Sequence, residues 1–172
     1  MGATDTTALT LMIVDDDPMM RLGLTAALSQ QAGFTIVGEA ANGRQGVEQA
    51  GRLTPHLVLM DVGMPGMDGI EATQIIKSQL PETRVVMLTS HTDETEIIAA
   101  LSSGADAYCI KGTDVEALAH AIWVAASGAG YLNPQIAQKV KQNLKPARPK
   151  VSGEVGLLGE RERQLRDINV TG

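Results

Sequence analysis

The stretch His56-Leu-Val-Leu-Met-Asp61-Val-Gly63-Met64-Pro65-Gly66-Met67-Asp68-Gly69-Ile-Glu-Ala-Thr-Gln-Ile-Ile-Lys77 sets the frame for the whole chain. Leu-Val-Leu-Met is an unbroken apolar run of strand length, as expected for a strand buried on both faces. A single carboxylate, Asp61, follows it. Pro65, Gly66, Asp68 and Gly69 then supply turn chemistry, with Asp68 placed as the N-cap of a segment of helical period.

The same alternation recurs on either side. Apolar runs at 10–14, 35–39, 56–60, 84–88 and 107–110 are predicted strands, and amphipathic segments at 18–31, 43–53, 69–79, 93–103 and 114–127 are predicted helices. Asp17-Pro18 provides a helix N-cap followed by proline at the first helical position, and Gly104 stands where a left-handed C-cap belongs. Strict alternation with short Gly, Asp and Pro links predicts an α/β, doubly wound, five-stranded parallel sheet with helices on both faces.

Composition agrees. The chain has 172 residues, 44% hydrophobic and 20% charged, which fits one soluble domain with an appendage and excludes a disordered chain. No apolar run approaches the roughly 18–20 residues that cross a bilayer, so no membrane association is expected. Cys109 is the only cysteine, which excludes an internal disulfide or a cysteine-based metal cluster and fits a reducing, cytoplasmic setting. His56, His91 and His120 share no spacing that suggests a metal or a nucleophile–base pair.

Charge is divided unevenly. Residues 1–138 hold 6 Lys+Arg against 16 Asp+Glu, whereas residues 139–172 hold 8 against 4. The acidic part would repel a phosphate backbone, while the basic tail could belong to something that binds one. The organisation expected is a domain over 9–128, an extra helix beginning near Asn133-Pro134 and a linker over 129–156, and the start of a second helical unit over 157–172.

In open α/β sheets ligands collect at the carboxyl ends of the strands. Those ends carry Asp15-Asp16-Asp17, Asp61, Thr89-Ser90 and Lys111. Converging carboxylates either hold a divalent cation or have raised pKa values, and Mg²⁺, with its preference for oxygen ligands and phosphoryl groups, is the natural candidate. If Asp61 attacked a phosphoryl donor, the metal and Lys111 would neutralise the transferring group and Thr89 could hydrogen-bond the product. Asp17 is explained by capping; Asp15 and Asp16 are not.

Four ordered motifs carry a family resemblance: Ile13-Val-Asp15-Asp16-Asp17-Pro18; Leu59-Met-Asp61-Val-Gly63-Met64-Pro65-Gly-Met67-Asp68-Gly69; Val86-Met-Leu-Thr89-Ser90; and Gly104-Ala-Asp-Ala-Tyr108-Cys-Ile-Lys111. Over about residues 9–128 the chain resembles the receiver domain of two-component response regulators. The resemblance implies a flavodoxin-like fold and a signalling domain that catalyses only its own phosphorylation and dephosphorylation. It further implies phosphorylation of Asp61 by a sensor histidine kinase or phosphotransfer protein, Mg²⁺ held by Asp15, Asp16, Asp61 and the Gly63 carbonyl, and Lys111 on the phosphoryl group. Thr89 and Tyr108 would form the switch pair, and homodimerisation is plausible. Gly112 stands where many receivers have a proline in a cis bond, so a trans or rearranged loop is expected there.

Residues 157–172, from Leu157-Leu158-Gly159 to Val170-Thr171-Gly172, resemble the opening helix of a LuxR-type helix-turn-helix domain, as in NarL/FixJ-type regulators. That implies transcription control through a DNA-binding domain incomplete in this chain, and DNA contact only through its complete form. The alternative is a stand-alone receiver acting by protein–protein interaction. An aspartyl phosphatase of the haloacid-dehalogenase type would place a second Asp two residues after the nucleophile, where this chain has Gly63.

Overall fold

A computed structural model describes residues 7–144; the 157–172 unit and the linker from residue 145 onward lie outside the described residues. The chain runs β1 (Leu9–Val14), α1 (Pro18–Ser29), β2 (Phe34–Ala40), α2 (Gly43–Leu53), β3 (Leu57–Asp61), α3 (Gly69–Gln79), β4 (Arg84–Thr89), α4 (Glu94–Ser102), β5 (Ala107–Ile110), α5 (Val115–Ala126), β6 (Tyr131–Leu132) and α6 (Pro134–Leu144). The sheet order is β2-β1-β3-β4-β5-β6, and every recorded pairing is parallel.

The helix starts follow from side-chain chemistry. Asp17, Asn42, Asp68, Asp93 and Asp114 each cap a helix by accepting from backbone amides of its first turn, which removes orphan donors. After α4 the chain turns through Gly104 at φ +96, the left-handed position that glycine adopts without a Cβ clash.

Two cores lie on the two faces of the sheet because successive strand residues point in opposite directions. Leu11, Ile13, Leu57, Leu59, Val86 and Leu88 meet Leu28 of α1 and Leu118, Ile122 and Ala125 of α5. Met12, Val14, Val58, Met60, Val85 and Met87 face the other way, towards Ala50 of α2, Ile76 of α3, Ile97 of α4 and Ile136 of α6. The reversal of strand order between β1 and β3 opens a crevice at their carboxyl ends.

The five-strand expectation needs correction: among the described residues the sheet has six strands. Tyr131 and Leu132 pair with Ala107 and Tyr108. Tyr131 N donates to Asp106 O at 3.2 Å and Asn133 N to Tyr108 O at 3.0 Å, satisfying the outer edge of β5 at Ala107 and Tyr108. Two residues between Gly130 and Asn133-Pro134 are too few to display a period. Gly112 takes φ +89, and there is no cis peptide bond among the described residues.

Candidate functional site

Asp15 and Asp16 follow β1, Asp61 ends β3, Thr89 ends β4 and Lys111 follows β5. Parallel packing therefore gathers side chains from distant parts of the sequence at one rim. Carboxylate oxygens of Asp15, Asp16 and Asp61 all lie within 4.8 Å of one another. The Lys111 ammonium sits 2.9 Å from Asp15 Oδ2 and 3.0 Å from Asp61 Oδ1. Its backbone amide donates to Thr89 O at 2.7 Å, fixing the loop that carries it to the end of β4.

Asp15 is held from behind. Its Oδ1 accepts from Asp17 N at 2.9 Å, and its carbonyl accepts from the Arg21 guanidinium at 2.6 Å. Asp15 and Asp61 are 1% and 4% exposed, whereas Asp16 is open to solvent. Gly69 packs so tightly beneath the site that a Cβ there would collide with the Asp61 carbonyl oxygen, which explains a glycine at the first position of α3.

The electrostatics are lopsided. Among the described residues three carboxylates gather around one ammonium, and Asp61 Oδ2 is buried without a hydrogen-bond partner. Burial, reinforced by the charge of Asp15 and opposed by Lys111, pushes the Asp61 pKa up to about 6. Burial works to lower the Lys111 pKa, but its bonds to Asp15 and Asp61 outweigh that and raise it. Surplus negative charge, an unpartnered buried carboxylate oxygen and an all-oxygen donor set fit a hard divalent cation such as Mg²⁺.

Among the described residues Thr89 and Tyr108 make no hydrogen bond to Asp15, Asp16 or Asp61. Thr89 Oγ1, 1% exposed, has one proton and two acceptors for it: Glu96 Oε1 at 2.7 Å and His91 O at 2.9 Å. It accepts in turn from His91 N at 3.0 Å. Tyr108 is fully buried, its hydroxyl has no hydrogen-bond partner among the described residues, and burial above all, reinforced by the Glu96 charge, pushes its pKa up to about 12. Gly63 is exposed at the apex of the tight turn closed by the Met64 N to Val62 O bond at 3.2 Å, whose flanking Val62 and Met64 are buried. Glu96, which engages Thr89, was not legible as a site residue: in sequence it reads only as an acid in the first turn of a helix.

Residues 11–123 match the family model for the response regulator receiver domain. The response regulator protein VraR of Staphylococcus epidermidis is 37% identical over 158 residues, covering 92% of this chain and 74% of its own. VraR of Staphylococcus aureus is 36% identical over 155 residues, covering 90% and 72%. Among solved structures, a LuxR-family two-component response regulator from Aurantimonas sp. SI85-9A1 superposes with a TM-score of 0.75 at 31% identity, covering 79% of this chain and 97% of that one. The signal receiver domain of the response regulator NarL from Mycobacterium tuberculosis does so with a TM-score of 0.67 at 31% identity, covering 70% and 98%. Among the described residues no helix is long and apolar enough to cross a membrane. With the family model matched over residues 11–123 and relatives matched across most of its length, the chain belongs to the response regulator receiver domain family, as a two-component response regulator of the LuxR/NarL type.

Proposed function

We propose that Asp61 accepts a phosphoryl group from the phosphohistidine of a sensor kinase or phosphotransfer protein. The observation that carries this reading is the buried Asp61 carboxylate, one oxygen 3.0 Å from Lys111 and the other unpartnered, at the centre of an acidic cluster. A carboxylate oxygen of Asp61 attacks phosphorus, the P–N bond breaks, and the donor imidazole departs with the electron pair. Lys111 holds an oxygen of the transferring group as charge spreads over it. Asp15, Asp16, Asp61 and the Gly63 carbonyl would hold Mg²⁺. When bound, the ion supplies charge neutralisation to the phosphoryl oxygens.

The chain itself catalyses only its own phosphorylation and dephosphorylation. Thr89 then exchanges Glu96 and His91 for a phosphoryl oxygen, and Tyr108 follows, altering the surface around α4 and β5. The output is transcription control in the cytoplasm through a complete LuxR-type domain of which residues 157–172 are the start, with receiver homodimerisation as its companion. DNA is contacted only through that complete domain.

The test is incorporation from a small acyl phosphate, read by intact mass. One phosphoryl group is expected on the native chain with Mg²⁺, and none on Asp61→Asn or after chelation. Incorporation into Asp61→Asn at the native level would place the acceptor elsewhere.

A further inference from the structure

The loop between β4 and α4 is tied to the end of the described chain as well as to the acidic rim. Lys139 Nζ, on α6, donates to Thr92 Oγ1 at 2.6 Å and to Thr92 O at 2.9 Å. Thr92 lies three residues beyond Thr89, whose hydroxyl is engaged by Glu96 and His91. Two independent contacts hold α6 in place. Ile136 is fully buried in the core that also contains Ile97, Ala100 and Tyr108, and Asn133 N, at the start of α6, donates to Tyr108 O at 3.0 Å. The helix thus rests on both members of the Thr89/Tyr108 pair's surroundings, by a polar tie on one side and by main chain and apolar packing on the other.

The chemistry of the tie suits a reversible contact. The ammonium takes two neutral oxygens of a single residue, so a small displacement of that residue removes both bonds together. Thr89 Oγ1 holds both His91 O, at 2.9 Å, and His91 N, at 3.0 Å, so its departure frees the residue that adjoins Thr92.

We propose that α6 is an intramolecular reader of the β4–α4 loop. Movement of Thr89 towards a phosphorylated Asp61 draws Thr92 from Lys139, loosens α6 and passes the state of the site to the chain beyond Leu144. This rests on the assignment of Asp61 as acceptor.

Hydrogen exchange by mass spectrometry on the full chain tests it, with the intact mass of each sample reporting phosphorylation separately. In the unphosphorylated state Lys139→Met is expected to speed exchange in residues 90–93 and 135–144 about tenfold, and Lys139→Arg much less. Phosphorylating the native chain is expected to speed exchange in 135–144 similarly, with no further rise in phosphorylated Lys139→Met. Confirmed incorporation with unchanged exchange in 135–144 overturns the proposal. So does Lys139→Met without effect on either segment. Absence of incorporation in the native chain overturns the acceptor assignment and the reader role with it, while the unphosphorylated Lys139→Met comparison still decides whether the clasp exists.

Discussion

Charged clusters occupy the two ends of the same parallel sheet, and they use the same residue types to opposite effect. At the amino ends of β4 and β5, Asp106 accepts from Lys77 Nζ at 3.1 Å, from Arg84 Nη1 at 3.3 Å and from Val85 N at 2.8 Å. Both of its oxygens are engaged, and two cations face one carboxylate. At the carboxyl ends, three carboxylates face Lys111 alone and one oxygen of Asp61 is left over. The first cluster closes on itself and joins α3 to the sheet. The second is incomplete as protein, and what would complete it is a cation and a phosphoryl group. The difference lies in the balance of charge and of hydrogen-bond partners, not in the presence of ionisable groups.

The contrast is sharpest in its pH dependence. Asp61 has a folded-state pKa of about 6 against 3.8 when unperturbed, so the folded chain binds more protons in that window and stability falls as pH rises through it. About 2–3 kcal/mol is expected to be lost between about pH 4 and pH 6 without metal, and Asp61→Asn should flatten that part of the profile. Urea midpoints across this range check it; a native profile no steeper than that of Asp61→Asn would show that Asp61 carries no raised pKa in the folded chain. Asp106→Ala should do what no change at the acidic rim does. It leaves Val85 N without its partner and is expected to cost about 2 kcal/mol of stability, with acyl-phosphate incorporation retained. Loss of incorporation in that variant would erase the distinction between the two ends. The smallest effect expected is stabilisation by Mg²⁺, about 1.4 kcal/mol at ten times its dissociation constant, seen as a raised thermal midpoint. It should vanish in a chain carrying both Asp15→Asn and Asp16→Asn and persist in Asp106→Ala.

Much of the scaffold is legible in the sequence because its signals are local. The helices at 43–53 and 69–79 and the strand at 107–110 have the predicted bounds, set by Asn42, by Asp68 and by flanking Gly and Asp. The first helix ends at Ser29 rather than residue 31, since an apolar period says little about where a last turn frays. Gathering Asp15, Asp61, Thr89 and Lys111 at one rim needs only strand ends and a parallel sheet. Side-chain direction is another matter. That the Thr89 hydroxyl turns to Glu96, seven residues on, and that Lys139 reaches back 47 residues to Thr92, depends on how α4 and α6 pack, and no local pattern encodes that. β6 escaped for a related reason: its existence is decided by the β5 edge it covers.

That covering strand has a bearing on solubility. A sheet edge is a template on which foreign chains can add, and each edge of this one is interrupted. On β2 the register slips, with Leu11 opposite Ile36 but Met12 opposite Gly38, leaving Val37 as an extra residue that breaks the ladder. On the far side the carbonyls of Asp106 and Tyr108 accept from Tyr131 N and Asn133 N, and a strand two residues long covers Ala107 and Tyr108. Residues 131–133 thus occupy the edge of β5 at Ala107 and Tyr108, where a foreign strand could otherwise add.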